Sequence, residues 1–196
     1  MPACPSCGTE IPRGARFCSE CGTSLAAPPA AREGRKTVTV LFCDLAGSTS
    51  LGERLDPESL RDAMERYFDR MQAVLESHGG TVEKFIGDAI MAVFGVPQLH
   101  EDDAVRAVRA AIEMRDALTS LNEELEAELG VTIAVRTGIN TGEVVAGDRT
   151  AGQRLVTGDA VNTAARLEQT ASAGEILIGE RTYDLARDAV DAEPVD

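Results

Sequence analysis

Two spacings of apolar residues alternate along this chain, and the switches between them mark out strands and helices. Lys36 to Cys43 is β-branched and apolar and predicts a first strand. Between Pro57 and Ser77, the residues Leu60, Met64, Tyr67, Phe68, Met71 and Leu75 recur at helical spacing until His78-Gly79-Gly80 stops the pattern. Thr81 to Ile86 and Ala89 to Phe94 read as a hairpin about Gly87-Asp88. A long helix is predicted over 101–129, opened by acids and carrying Val105, Val108, Ile112, Leu118, Leu121 and Leu125. A fourth strand, 131–139, continues through Gly142 into 143–146.

That order is a split βαβ repeat, so an α+β, ferredoxin-like (βαββαβ) sheet is expected. In such a sheet strands one and two run parallel with strand three antiparallel between them. The end of strand one then lies beside the start of strand three, and Asp44 and Asp88 occupy those two ends. Facing carboxylates can hold divalent metals, and metals so held move phosphates. Taken singly, Asp44 also suits a helix cap and Asp88 a hairpin turn.

The first 23 residues follow another logic. Cys4-x-x-Cys7 and Cys18-x-x-Cys21 are paired knuckles, each followed by glycine (Gly8, Gly22), with ten residues between them. Four thiolates so spaced suit one structural, tetrahedral Zn2+ and resemble a zinc ribbon. So short a segment buries too little apolar surface to fold unaided, so the ion supplies much of its folding free energy. Arg13, Arg16 and Arg32 are balanced by Glu10, Glu20 and Glu33, which favours a structural or protein-contact role. Residues 24–34 (SLAAPPAAREG) read as a tether stiffened by Pro28-Pro29. Cys43 lies in an apolar strand and is expected in the core.

Composition narrows the partners. At 196 residues with 43% hydrophobic and 27% charged positions, the chain holds one ordinary domain plus a small appendage. A net charge of −14 argues against non-specific nucleic-acid binding. No stretch approaches the roughly 18 apolar residues that span a bilayer, and no signal-peptide pattern opens the chain. A cytoplasmic location is therefore expected, with no membrane partner. His78 and His100 are expected in ordinary loop or terminus roles.

Three ordered motifs carry a resemblance over Arg35 to Tyr183. The segment Val40 to Thr49 (VLFCDLAGST) resembles the first metal motif of class III nucleotidyl cyclases, and Glu83 to Asp88 (EKFIGD) resembles the second. Gly158 to Leu167 (GDAVNTAARL) is similar to the helix that completes the site. The expected division is a ribbon at 1–23, a linker at 24–34 and a class III cyclase catalytic domain at 35–196 that lacks its last strands.

The resemblance implies an adenylate cyclase: the ribose 3′-oxygen of ATP attacks the α-phosphorus and pyrophosphate leaves. It further implies two Mg2+ or Mn2+ per active site, held by Asp44 and Asp88. Leu45, Ala46, Gly47, Ser48 and Thr49 would form a turn whose backbone amides cradle the triphosphate, as helix starts do; Ser48 and Thr49 serve equally as N-caps. Asn162 and Arg166, four apart on one helix face, match the residues that position the ribose and stabilise charge on the α-phosphate. A surface pairing of Arg166 with Glu168 is the plainer alternative. Lys84 matches the lysine that reads adenine, where guanylyl cyclases usually have glutamate.

Two departures bear on that reading. Leu155 stands where the family has aspartate or threonine, and leucine cannot hydrogen-bond a base; Thr157 is a nearby hydroxyl. The family's late phosphate-binding lysine has no match after Arg187. A guanylyl or mixed-specificity cyclase, or a nucleotide-sensing or dimerising module of low activity, are the competing readings. The resemblance also implies a head-to-tail homodimer, with Asp44 and Asp88 from one protomer facing Lys84, Asn162 and Arg166 of the other.

Overall fold

The structure is a computed structural model and describes residues 3–4, 7–10, 17–21, 34–149 and 153–195. Of the expected tether at 24–34, residues 24–33 lie outside the described residues and Gly34 already belongs to the first strand; Gly22 and the arginines at 13, 16 and 32 also lie outside them. The elements are β1 (Gly34–Ala46), α1 (Ser48–Arg54), α2 (Pro57–Ser77), β2 (Thr81–Ile86), β3 (Ala89–Phe94) and α3 (Asp103–Leu129). They continue as β4 (Ala134–Arg149), β5 (Gln153–Thr157), α4 (Asp159–Thr170), β6 (Ile176–Ile178) and α5 (Glu180–Ala186).

Among the described residues the strands form one sheet in the order β2-β3-β1-β4-β5, with β6 parallel to β4. β3 lies antiparallel between β1 and β2, and β1 is antiparallel to β4, as a split βαβ repeat requires. β4 is one unbroken strand because Gly142 lets Ala160 of α4 press against it without a bend. β1 is longer than expected at both ends: Gly34 already pairs with Ala146, and Ala46 still pairs with Ala134.

Alternation along β1 sends its side chains into two cores. Leu41, Cys43 and Leu45 pack with α2 and α3, while Val38, Val40 and Phe42 pack with Ala160 and Ala164 of α4. In α2, Tyr67, Met71 and Leu75 are fully buried. Its start is fixed by Asp56, whose carboxylate accepts from the Ser59 N–H at 3.0 Å, and by Pro57 in the first turn. α3 begins two residues later than expected, because the Asp103 carboxylate turns back to accept from the His100 N–H at 2.9 Å. Its buried stripe is built largely from Ala104, Ala107, Ala110 and Ala111 with Met114, Leu118, Leu121 and Leu125. Ile112, expected on that stripe, is 36% exposed; the alanines take the inner face and let α3 approach closely.

The histidines are ordinary, as expected. His78 Nε2 meets Glu113 at 2.7 Å and His100 Nδ1 meets Arg106 Nη2 at 2.7 Å, both at the opposite end of β1 from Asp44.

Candidate active site

The β1–β3 ladder pairs Cys43 with Ile90, so Asp44 sits at the corner of the sheet where the hairpin turn Gly87-Asp88 delivers the second carboxylate. Gly87 adopts φ 65°, a conformation that glycine reaches without strain and that closes this turn. The two acids thus reach one edge because an antiparallel neighbour starts where β1 ends.

Asp44 does not stand alone there. Its cross-strand partner on β4 is Arg136, whose Nη2 donates to Asp44 Oδ2 at 2.7 Å. The same guanidinium approaches Glu168 of α4, with Nε and Oε1 2.7 Å apart. That second contact is an ion pair by distance only: both atoms are buried and neither has an aligned hydrogen-bond partner. Glu168 reaches the strand because of Gly138, two residues beyond Arg136 on the same face. A Cβ at Gly138 would fall on the backbone of Ala164 and Glu168, so only glycine permits this helix-to-strand approach.

The charges act on one another. The Asp44 hydrogen bond raises the Arg136 pKa, with Glu168 and Asp88 adding to it, so the guanidinium is permanently charged. Burial raises the Glu168 carboxyl, partly offset by Arg136, and the charges of Asp44 and Asp88 push the same way as burial. Three carboxylates facing one guanidinium leave an excess negative charge equal to that of one divalent cation. Hard oxygen donors of this kind suit Mg2+ or Mn2+. Beneath the corner, Cys43 is fully buried, as expected, with Sγ 3.7 Å from the Tyr67 hydroxyl. Burial pushes its thiol up to about 11.

The loop after β1 differs in detail from expectation. The strand runs through Leu45 and Ala46, and the turn is Gly47 alone, at φ 79°. Gly47 is the N-cap of α1, with no side-chain cap, so neither Ser48 nor Thr49 has the capping role. A small cleft of about 50 Å³ opens beside Leu45 to Ser48, closed by Leu51, Arg54, Thr132 and Ile133.

α4 carries two unlike faces. Ala160, Ala164 and Glu168 are buried against the sheet, whereas Asn162 and Arg166 are exposed on the other side. Within one chain these two are therefore not brought to Asp44. The alternative pairing of Arg166 with Glu168 fails for the same reason, because Glu168 is turned inward to Arg136. Lys84 is also exposed, on β2 just after a register shift between Val82 and Lys84. Beside it Phe85 and Ile86 are 46% and 49% exposed, an apolar pair on an edge strand. Leu155 lies in β5 opposite Gly147.

Arg136 and Glu168 escaped the sequence reading of the site. Glu168 offered a partial signal, as a charge four residues after Ala164, whereas Arg136 offered none, because it falls out of phase with the buried alternation of Val131, Ile133 and Val135.

In the N-terminal segment, one sulfur from each of Cys4, Cys7, Cys18 and Cys21 lies within 4.8 Å of the others. The pairs Cys4–Cys21 and Cys7–Cys18 are both 3.6 Å apart. Tetrahedral zinc with Zn–S near 2.3 Å requires sulfurs about 3.8 Å apart, so the cluster fits that ion. Gly8, at φ 75°, turns the first knuckle, and its N–H donates to the Cys4 carbonyl at 2.9 Å.

Comparisons with known proteins agree with this geometry. Residues 31–195 match the adenylate and guanylate cyclase catalytic domain, and residues 4–25 match a zinc-ribbon domain. The chain is 37% identical over 140 residues to an adenylate cyclase of Anabaena cylindrica, covering 68% of this chain and 27% of that protein. Among solved structures it is similar to the adenylyl cyclase CyaB from P. aeruginosa, with TM-score 0.77 and 39% identity over 81% of this chain and 84% of that one. It is nearly as similar to the guanylyl cyclase Cya2, with TM-score 0.74 and 38% identity over 79% and 80% of the two chains. The chain spans 21% to 33% of the length of the first curated relatives it matches. It belongs to the class III adenylate and guanylate cyclase catalytic domain family, with a zinc ribbon at its N-terminus.

Proposed function

We propose that this chain converts ATP to 3′,5′-cyclic AMP and pyrophosphate, working as a head-to-tail homodimer in intracellular signalling. The observation that carries the reading is the sheet corner where β1 and the β2–β3 turn bring Asp44 and Asp88 together, beside Arg136. Asp44 and Asp88 would hold two Mg2+ or Mn2+, which supply acidification of the 3′-hydroxyl and charge neutralisation on the phosphates when bound. The chain's own groups do the rest. Gly47 and the first amides of α1, beside the cleft at Leu45 to Ser48, would bind the triphosphate as backbone N–H groups bind anions. Arg166 offers a fixed fork of donors to the α-phosphate oxygens as charge develops. Asn162, one turn earlier, orients the ribose so that its 3′-oxygen faces the phosphorus in line.

The same helix supports the dimer. Asn162 and Arg166 are exposed on the face of α4 away from Glu168, which supports their being presented to the Asp44 of a two-fold partner. The exposed Phe85 and Ile86 beside Lys84 give that contact apolar area. The tether at 24–34 then links a ribbon at 1–23, a surface for a protein partner, to the domain at 35–196.

Lys84 supports adenine as the base, as do the relatives named adenylate cyclases. Leu155 and the nearly equal likeness to a guanylyl cyclase favour a second reading, relaxed or guanine selectivity. Purified protein with Mn2+ is given ATP or GTP separately, and the cyclic product is measured. Cyclic AMP in excess supports the first reading, cyclic GMP in excess the second, and nucleotide binding without either product overturns both.

A further inference from the structure

We propose that the N-terminal ribbon is a modification site for hydroperoxides: oxidation joins its thiols across the two knuckles, as Cys7–Cys18 and Cys4–Cys21, and expels the ion they hold. Only the release of the ion rests on the reading of these thiols as a zinc site.

Three observations carry it. Cys7 and Cys21 are exposed, whereas Cys4 and Cys18 are only 3% and 5% exposed, so each knuckle offers one sulfur to solvent and keeps one covered. The exposed sulfur of each knuckle meets the covered sulfur of the other: Cys7–Cys18 and Cys4–Cys21 are both 3.6 Å apart. A disulfide is about 2.05 Å long, so each pair has less than about 2 Å to travel. Finally, Cys43 is fully buried in the cyclase core and serves as an internal control. The chemistry balances. An exposed thiolate attacks the distal oxygen of a hydroperoxide, the O–O bond breaks, and the sulfur becomes a sulfenic acid while the departing alkoxide takes a proton. The covered thiolate then attacks that sulfur and expels hydroxide, which leaves as water after taking a proton. Each pair loses two electrons and each peroxide gains two, so two peroxides convert one ribbon. The four thiolates are then gone, and with them the ion's ligands.

The full chain, purified reduced with zinc supplied and then freed of reductant, is treated with excess tert-butyl hydroperoxide. Released zinc is read with a chromophoric chelator, free thiols are counted, and tryptic peptides are mapped without reduction. Arg13 and Arg16 lie between the knuckles, so trypsin separates them, and only a bond across the knuckles keeps peptides 1–13 and 17–32 together. The count is expected to fall from five free thiols to one, with one zinc leaving per chain. The two peptides should stay linked, and fragmentation should report Cys7–Cys18 and Cys4–Cys21. Ribbon thiols should be lost at least about tenfold faster than Cys43, as their exposure dictates. Bonds within each knuckle overturn the proposal, and so does the pairing of Cys4 with Cys18 and Cys7 with Cys21. Thiols that outlast the peroxide while zinc stays bound also overturn it, and leave the zinc reading intact. A metal-free ribbon that still links across the knuckles sustains the pairing and overturns the zinc reading.

Discussion

Arg136 Nη2 lies 2.7 Å from Asp44 Oδ2 across the β1–β4 ladder, so the acid that follows the buried run of β1 is held by a cation from the neighbouring strand. A charge-assisted bond between partly buried groups fixes the rotamer of Asp44 before any ligand arrives.

Removing that acid should silence the domain. Asp44→Ala is expected to lower cyclic nucleotide formation by roughly a thousandfold, about 4 kcal/mol of lost metal-borne stabilisation. Initial rates with Mn2+ and saturating ATP check it; activity within tenfold of wild type would be incompatible with the proposed corner.

Complementation tests the division of labour across the dimer. Asp44→Ala and Arg166→Ala homodimers should each be nearly inactive. Equal mixtures, exchanged to equilibrium, should recover about a quarter of wild-type activity, since half the dimers are mixed and each has one intact site. No recovery, despite exchange confirmed by mass spectrometry, would place Arg166 and Asp44 in the same chain's site.

Gly138 should resist substitution. A side chain there meets the backbone of Ala164 and Glu168, which cannot swing aside. Gly138→Ala is expected to cost roughly 1–3 kcal/mol in urea unfolding, the usual range for overpacking, with activity falling further as Glu168 leaves Arg136. Wild-type stability in that variant would show the helix to be loosely seated.

The Cys43 thiol links folding to alkaline pH. Its ordinary value of 9.0 is raised to about 11 by burial, so the fold binds a proton that the unfolded chain loses first. Its contribution to stability is full below pH 9 and is lost as pH rises through 11. Urea midpoints measured between pH 8 and 11 should fall with this slope, and Cys43→Ala should flatten it. Iodoacetamide should label Cys43 only after unfolding, as peptide mapping will report.

Zinc removal should affect the ribbon alone. Metal analysis is expected to find one zinc per chain, and a strong chelator should make Cys4, Cys7, Cys18 and Cys21 newly reactive to a thiol reagent. The far-ultraviolet signal of the cyclase domain should barely change, because its core contains none of those thiols. Four reactive thiols before chelation in freshly reduced protein would reject the site.

The elements that sequence made legible are those with a strong period. β2 and β3 match their expected bounds, and so does α2, because Pro57, Gly79 and the Gly87-Asp88 turn punctuate them sharply. The start of α3 was hidden because Asp103 bonds backwards to His100, a local choice that hydropathy does not encode. The corner of Asp44 and Asp88 could be read from topology alone. Arg136 and Glu168 could not, since each becomes part of the site only when Gly138 lets two distant segments touch. Asn162 and Arg166 were legible as a pair through their helical spacing, while their outward direction depends on which face of α4 the sheet claims.

That two-sided helix has a mechanical consequence. Its inner residue Glu168 braces the Asp44–Arg136 corner, while its outer residues Asn162 and Arg166 stay exposed. A tilt of that rod would therefore loosen the corner as it moved the exposed pair, so neither can shift without the other.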